Sequence, residues 1–133
     1  MIFTSNFKAA GHLPQAVAIS RGVPRGWPGR VYRSLAPSWK LVKAELSQEA
    51  FVKVYRAEVL DRLNPHQVLN DLGGDDFVML CWEPAGEFCH RRVAAVWLEK
   101  ELGVKLLELN PKLRSHQEWL RKIQNTERKH HVR

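Results

Sequence analysis

The chain predicts an α/β fold, a single compact domain with a small parallel, Rossmann-like sheet flanked by helices. Three observations predict it. The apolar runs at 16–19 (Ala-Val-Ala-Ile), 77–81 (Phe-Val-Met-Leu-Cys) and 104–109 (Val-Lys-Leu-Leu-Glu-Leu) have strand length and are bounded by turn residues. Segments with 3.6-residue apolar spacing lie between and after them, and strands that alternate with helices pair in parallel through right-handed crossovers. The length, 133 residues, suits one domain that buries about two thirds of its unfolded surface and needs no covalent staples.

Taken in order, residues 1–4 (Met-Ile-Phe-Thr) offer an additional strand, and residues 16–19 form a strand ending at Ser20-Arg21-Gly22. From 22 to 37, Gly22, Pro24, Gly26, Pro28, Gly29 and Pro37 argue against regular structure, and an ordered excursion of this length in a small domain usually serves function. Ser47 is a suitable N-cap for a helix running to 63, with Phe51, Val52, Tyr55, Val59 and Leu63 on one face. Asn64-Pro65 restarts a short helix, cap followed by proline at the first position, and Gly73-Gly74 stops it. Residues 77–81 make the next strand, 93–102 a helix apolar on two sides, and 104–109 a further strand. A last helix over 111–125 aligns Leu113, His116, Leu120 and Ile123. The expected organisation is an α/β unit over 1–110, with a C-terminal helix and basic tail over 111–133.

Lys and Arg total 21 against 14 Asp and Glu, a formal net charge of +7, and this excess favours an anionic partner such as a nucleotide or nucleic acid. One basic cluster, Arg21, Arg25, Arg30, Arg33, Lys40 and Lys43, is interleaved with Trp27, Tyr32 and Trp39. Aromatics among arginines can stack bases and hold phosphates; equally, they can pin a basic loop to the core. The second cluster, Arg121, Lys122, Arg128 to His131 and Arg133, reads as a solvating terminus. No apolar run approaches the roughly 18 residues of a membrane helix, and residues 1–8 do not have the pattern of a secretory leader. The expected compartment is the cytoplasm, where two cysteines stay reduced. Oligomeric state is not legible.

The chemistry concentrates between residues 81 and 92, Cys81-Trp-Glu-Pro-Ala-Gly-Glu-Phe-Cys-His-Arg-Arg92, a strand-to-helix connection. In a parallel sheet, ligands bind outside the carboxyl ends of the strands, so Ser20-Arg21 and Cys81-Trp82 should meet at one crevice. Cys89 stands at a helix start, where the dipole and the cations beside it favour a thiolate. His90 is a candidate acid or base, and Arg91 a candidate phosphate or oxyanion group that could instead pair with Glu83 or Glu87. Ser20, Arg21, Arg25, Trp27, Tyr32, Trp82 and Arg92 are the candidate anion-binding and stacking residues. Cys89 also suits a packing role, as a small apolar side chain, and Cys81 fits one better. Zinc is set aside: Cys-x7-Cys-His lacks the short spacings of structural sites, a fourth ligand would have to come from His12, His66 or His116, and the arginines oppose a cation. No metal and no cofactor is expected.

These residues resemble the DUF488 family, small proteins of bacteria, archaea and phages grouped without an assigned function. The resemblance rests on Leu80-Cys-Trp-Glu-Pro-Ala-Gly-Glu-Phe-Cys-His-Arg91. Supporting segments are Met1-Ile-Phe-Thr-Ser5, Ala18-Ile-Ser-Arg-Gly22 with Pro24, Tyr32 with Leu35-Ala-Pro37, and Val59-Leu-Asp-Arg-Leu-Asn-Pro65. It extends to about Leu109, beyond which the chain reads as an extension. It implies an α/β domain with a Cys-His-Arg site and no particular substrate. Three function classes follow: an enzyme acting on a phosphate-bearing substrate, a nucleic-acid or nucleotide binding module without chemistry, and a thiol-based regulatory protein using Cys81 and Cys89.

Overall fold

The computed structural model describes residues 2–83 and 87–108. Five strands, β1 (Ile2–Asn6), β2 (Ala16–Ala18), β3 (Arg30–Val31), β4 (Phe77–Cys81) and β5 (Leu107–Glu108), form one sheet in the order β3-β2-β4-β1-β5. Every pairing is parallel; β4 lies alongside β1 from Ile2↔Phe77 to Asn6↔Cys81 and alongside β2 from Ala16↔Val78 to Ala18↔Leu80. The expected α/β architecture is therefore present, with more strands than the apolar runs alone announce.

β4 is central because all five of its residues are apolar and buried, as a strand covered on both faces requires. Side chains alternate across the sheet. Phe77 and Met79, with Val17 and Ile19, enter the larger core, which packs on α3 (Gln48–Glu58), α4 (Pro65–Leu72) and the Ala94, Ala95 and Leu98 face of α5 (His90–Leu102). Val78 and Leu80, with Phe3 and Ala16, enter a smaller core beneath α1 (Phe7–Ala10) and Leu13. Cys81 continues the parity of Phe77 and Met79 and so faces α5. The chain leaves β2 for β3 at one edge of the sheet and leaves β4 for β5 at the other, so the carboxyl ends of these neighbouring strands open a crevice between them.

The helices end where the sequence supplies caps. Asn64 accepts from the Gln67 N–H with Pro65 in the first helical position, and Gly73 closes α4 at φ 138°, open to glycine but strained for other residues. Ser47 caps α3 through the Ala50 N–H. That helix stops at Glu58 and a 3-10 turn over Leu60–Arg62 completes the expected path to Leu63. α5 begins at His90, before the expected residue 93, and ends at Gly103 in the left-handed region.

Three expectations change. Two residues of the loop expected to exclude regular structure, Arg30 and Val31, do pair with Val17 and Ala18. Of the described part of the strand foreseen over 104–109, only Leu107–Glu108 pair, and the preceding Leu106 N–H donates to the Glu99 carboxylate instead of a ladder; residue 109 lies outside the described residues. The short helices α1 and α2 (Trp39–Val42) were not foreseen, although Asn6 and Ser38 cap them in the ordinary way. The helix expected over 111–125 lies outside the described residues.

A buried ion pair ties α5 to the sheet edge. Arg91, fully buried, donates from Nη2 to Glu108 Oε2 at 2.7 Å and from Nε to Oε1 at 3.2 Å, a fork-to-fork contact, and from Nη1 to the Glu83 carbonyl at 2.8 Å. Thr4 Oγ1 also donates to Glu108, and Arg92 Nη1 donates to Thr4 Oγ1 at 2.9 Å and to the Leu106 carbonyl at 3.1 Å. Burial would lower the Arg91 pKa, but Glu108 outweighs it and the guanidinium is held above its ordinary value. Glu108→Ala, which strands that charge in the interior, should lower unfolding stability by about 3 kcal/mol in urea melts. A loss under about 0.5 kcal/mol would mean that water reaches Arg91.

Candidate functional site

The strand-end crevice has a volume of about 460 Å³. Ser20, Arg21 and Gly22 line it from the end of β2, and Cys81, Trp82 and Glu83 from the end of β4. Cys89 and His90 contribute from the start of α5, while Trp39, Leu41 and Phe51 contribute from α2 and α3, with Phe88 beside them. The walls are thus largely apolar, with four aromatic side chains, and the charged groups among them are Arg21, Glu45 and Glu83; an apolar wall with a few polar groups is the usual constitution of a small-ligand site. Trp39 and Trp82 are about half exposed, at 54% and 52%, so each leaves part of an indole free to meet a ligand.

His90 is oriented by one short hydrogen bond. Its Nε2 lies 2.7 Å from the Ile19 carbonyl oxygen, which can only accept, so Nε2 carries a proton. In the neutral ring the lone pair is then on Nδ1, which lies 3.5 Å from Cys81 Sγ and 3.9 Å from Cys89 Sγ. The Tyr55 ring packs edge-on against the imidazole at 5.5 Å and is itself fixed by a hydroxyl donating to the Leu35 carbonyl at 2.6 Å. Cys81 donates to Glu83 Oε2 at 3.1 Å. The two sulfurs and the His90 nitrogen lie within 4.8 Å of one another, which also makes them a possible ligand set for a metal.

Both thiols are buried and unpaired. Burial, with the neighbouring Cys81, pushes the Cys89 thiol far above its ordinary value, and the His90 ring opposes this only in part. The thiolate expected from the helix start is therefore not what this geometry favours. The arginines expected to support it, Arg91 and Arg92, point their charges at Glu108, Thr4 and backbone carbonyls. Burial alone would raise the Glu83 carboxyl, but hydrogen bonds from the Cys89 and Cys81 thiols bring it below its ordinary value.

Ser20, Arg21, Trp82, Cys89 and His90 are brought together as expected. Arg21 donates to the Pro37 and Ala36 carbonyls, at 2.9 and 3.4 Å, and pairs with no carboxylate among the described residues. Ser20 Oγ donates to the Gly22 carbonyl, as does Trp82 Nε1. The other candidates lie elsewhere. Arg91 is enclosed on the side of the sheet edge formed by β5, Arg92 lines a shallow hollow on α5, and Arg25 is exposed away from the crevice. Trp27 donates to the Gly11 carbonyl and packs on Phe7 at 5.2 Å, so it pins its loop to the smaller core. The Tyr32 hydroxyl donates to Asp71. Sequence reasoning missed Glu83 and Phe88 as site residues; only their places within the 81–92 segment signalled them.

A family model described as the active DUF488-N3 subclade matches residues 10–102, well over half of the chain. The chain belongs to the DUF488 family. No curated protein and no solved structure matches alongside it. The match ends at the last residue of α5 and so takes in both halves of the crevice. No helix among the described residues of this DUF488 protein is long and apolar enough to cross a membrane.

The raised Cys89 thiol has a consequence for stability. The unfolded chain gives up this proton near the ordinary thiol value of about 8.5, whereas the folded chain keeps it, so the stabilisation is complete below that pH and lost above it. In chelator and reductant, stability should fall between about pH 8.5 and 10 by at most 1.4 kcal/mol per pH unit. Cys89→Ala should flatten this slope; above that window Tyr55, also raised by burial, adds its own. An unaltered slope in Cys89→Ala would show that Cys89 ionises freely in the folded protein.

Proposed function

We propose that this DUF488 protein binds a small planar, phosphate-bearing ligand, a nucleotide, in the strand-end crevice and presents it to Cys89 and His90 for chemistry. The observation that carries the reading is the crevice itself: apolar walls that include Trp39, Phe51, Trp82 and Phe88, an arginine that pairs with no carboxylate among the described residues, and two thiols with an imidazole. Two half-exposed indoles at the crevice, Trp39 and Trp82, suit the face of a base. Arg21 suits the charged end, because a guanidinium held by backbone carbonyls keeps donors for an anion.

Within this reading His90 Nδ1 is the base that takes the Cys89 proton, and Nε2 is kept from that role by Ile19. A mononucleotide is favoured over a strand of nucleic acid, since Trp27, Tyr32, Arg30 and Arg33 spend their polar groups on internal partners and present no array. A second reading, binding without catalysis, draws on the burial of Cys89, which keeps the nucleophile protonated.

Calorimetric titration with nucleoside monophosphates, nucleosides and a single-stranded oligonucleotide tests this. Monophosphates should bind, nucleosides more weakly, and Arg21→Ala should weaken monophosphate binding by roughly ten- to a hundredfold, the worth of one charged hydrogen-bonding partner. Trp27→Ala should bind as the parent does. Cys89→Ser that binds but turns nothing over marks an enzyme, and a Cys89→Ser indistinguishable from the parent in every assay marks a binder. No binding of any monophosphate at millimolar concentration would end the proposal.

A further inference from the structure

The two sulfur-to-imidazole separations at the crevice are close to those of a coordination sphere, and the two sulfurs lie within 4.8 Å of each other. Bonds of about 2.3 Å to sulfur and 2.0–2.1 Å to nitrogen, at tetrahedral angles, place ligand atoms about 3.5 to 3.8 Å apart. Cys81 Sγ is 3.5 Å from His90 Nδ1, Cys89 Sγ is 3.9 Å from it, and all three atoms fall within 4.8 Å of one another. We propose that Cys81, Cys89 and His90 are the three protein ligands of a tetrahedral zinc site whose fourth position opens on the crevice.

Two further observations support the assignment. A metal-bound histidine ordinarily donates its other ring N–H to a carbonyl or carboxylate, which fixes the tautomer and aims the lone pair. His90 does this, with Nε2 on the Ile19 carbonyl at 2.7 Å and Nδ1 facing the sulfurs. The charges also suit a cation: two thiolates neutralise a divalent ion, and the Glu83 carboxylate beside Cys81 adds one further negative charge.

Of the three objections raised by the sequence, the missing fourth ligand falls away when the fourth position is open, and the fold answers the other two. The ligands come from two elements, the last residue of β4 and the N-cap and first residue of α5, so the seven-residue gap separates two elements of the fold and is not a zinc-ribbon spacing. No nearby arginine aims at the sulfurs: Arg91 is locked on Glu108 and the Glu83 carbonyl, Arg92 on Thr4 and the Leu106 carbonyl, and Arg21 on Pro37 and Ala36. Two thiolates and one imidazole are the donor set that selects zinc over calcium or magnesium, and three protein ligands with one open position mark reactive rather than structural sites. Glu83, with Oε2 3.1 Å from Cys81 Sγ, stands beside the open position, where it can accept a proton from a bound water.

The site stands on its own geometry and does not require the nucleotide reading. The full-length protein, reduced and stripped with chelator, is titrated with Co²⁺ as the spectroscopic probe and then with Zn²⁺. One equivalent should give the intense ligand-field and sulfur-to-cobalt charge-transfer bands of a tetrahedral thiolate site, zinc should bleach them, and zinc should raise the melting temperature. Cys81→Ser and Cys89→Ser should lose the bands, with folding checked by circular dichroism. His90→Cys, which keeps three ligands, should retain them with stronger charge transfer. Glu83→Gln should also retain them, and its losing them as fully as Cys89→Ser would overturn the open fourth position. Absence of the bands at one equivalent, or their survival in both serine variants, would overturn the site. Arg21→Ala separates the two proposals: it should leave the cobalt spectrum intact while weakening monophosphate binding. A cobalt spectrum would remove Cys89 as nucleophile and His90 Nδ1 as its base and leave nucleotide binding to be judged by the monophosphate titration, whereas nucleotide binding without the spectrum would reject the metal alone.

Discussion

The interior guanidinium of Arg91 sets the position of everything at the crevice. A charge removed from water is tolerated only with its partners in place, and those partners, Glu108 on β5 and the Glu83 carbonyl after β4, lie on different parts of the sheet. Satisfying both fixes where α5 begins and how it is rotated. Consecutive helical residues diverge by about 100°, so directing Arg91 toward β5 directs His90 toward β2. There the Ile19 carbonyl receives it. The Cys-His-Arg run is thus one anchor and two site residues, and the anchor is what makes the orientation of the other two reproducible.

Rotation alone does not decide reactivity. A helix start contributes roughly 0.3–1 kcal/mol toward a nearby anion, less than one pKa unit, whereas complete burial can shift a group by 3–5 units. At Cys89 burial acts first and the helix start cannot offset it. A reading based on the cations adjacent in sequence overstates them, because Arg91 and Arg92 direct their charges elsewhere. Proximity in sequence to a positive residue is weak ground for a thiolate; what the side chain reaches is what counts.

The legible parts of the fold were those with a strong local cause. The Phe77–Cys81 strand, the Asn64-Pro65 start and the Gly73 stop are written in consecutive residues, and the structure has all three. The meeting of Ser20-Arg21 with Cys81-Trp82 was legible too, because parallel topology sends strand ends to one side. Tertiary partners were illegible. Trp27 looked like a stacking residue among arginines, and only the position of the Gly11 carbonyl makes it a clamp. Glu83 looked like a salt-bridge partner, and only the common orientation of Cys81 and α5 places its carboxylate beside two sulfurs. β3 is two residues held by their neighbour rather than by their own pattern.

The same lesson bears on the cysteines. Spacing rules for zinc describe ligands carried on one local turn, where the backbone between them is the scaffold. Here the scaffold is the sheet and the helix packed on it: β4 presents Cys81, and the start of α5 presents its N-cap Cys89 and its first residue His90. A metal would also change what the thiols are for. As ligands they no longer serve as nucleophiles, and the reacting group becomes whatever occupies the open position in the crevice that Glu83 also lines. The burial that disfavours Cys89 as a free nucleophile is no obstacle to it as a ligand, since ligation replaces the proton with a cation and leaves the sulfur where it is.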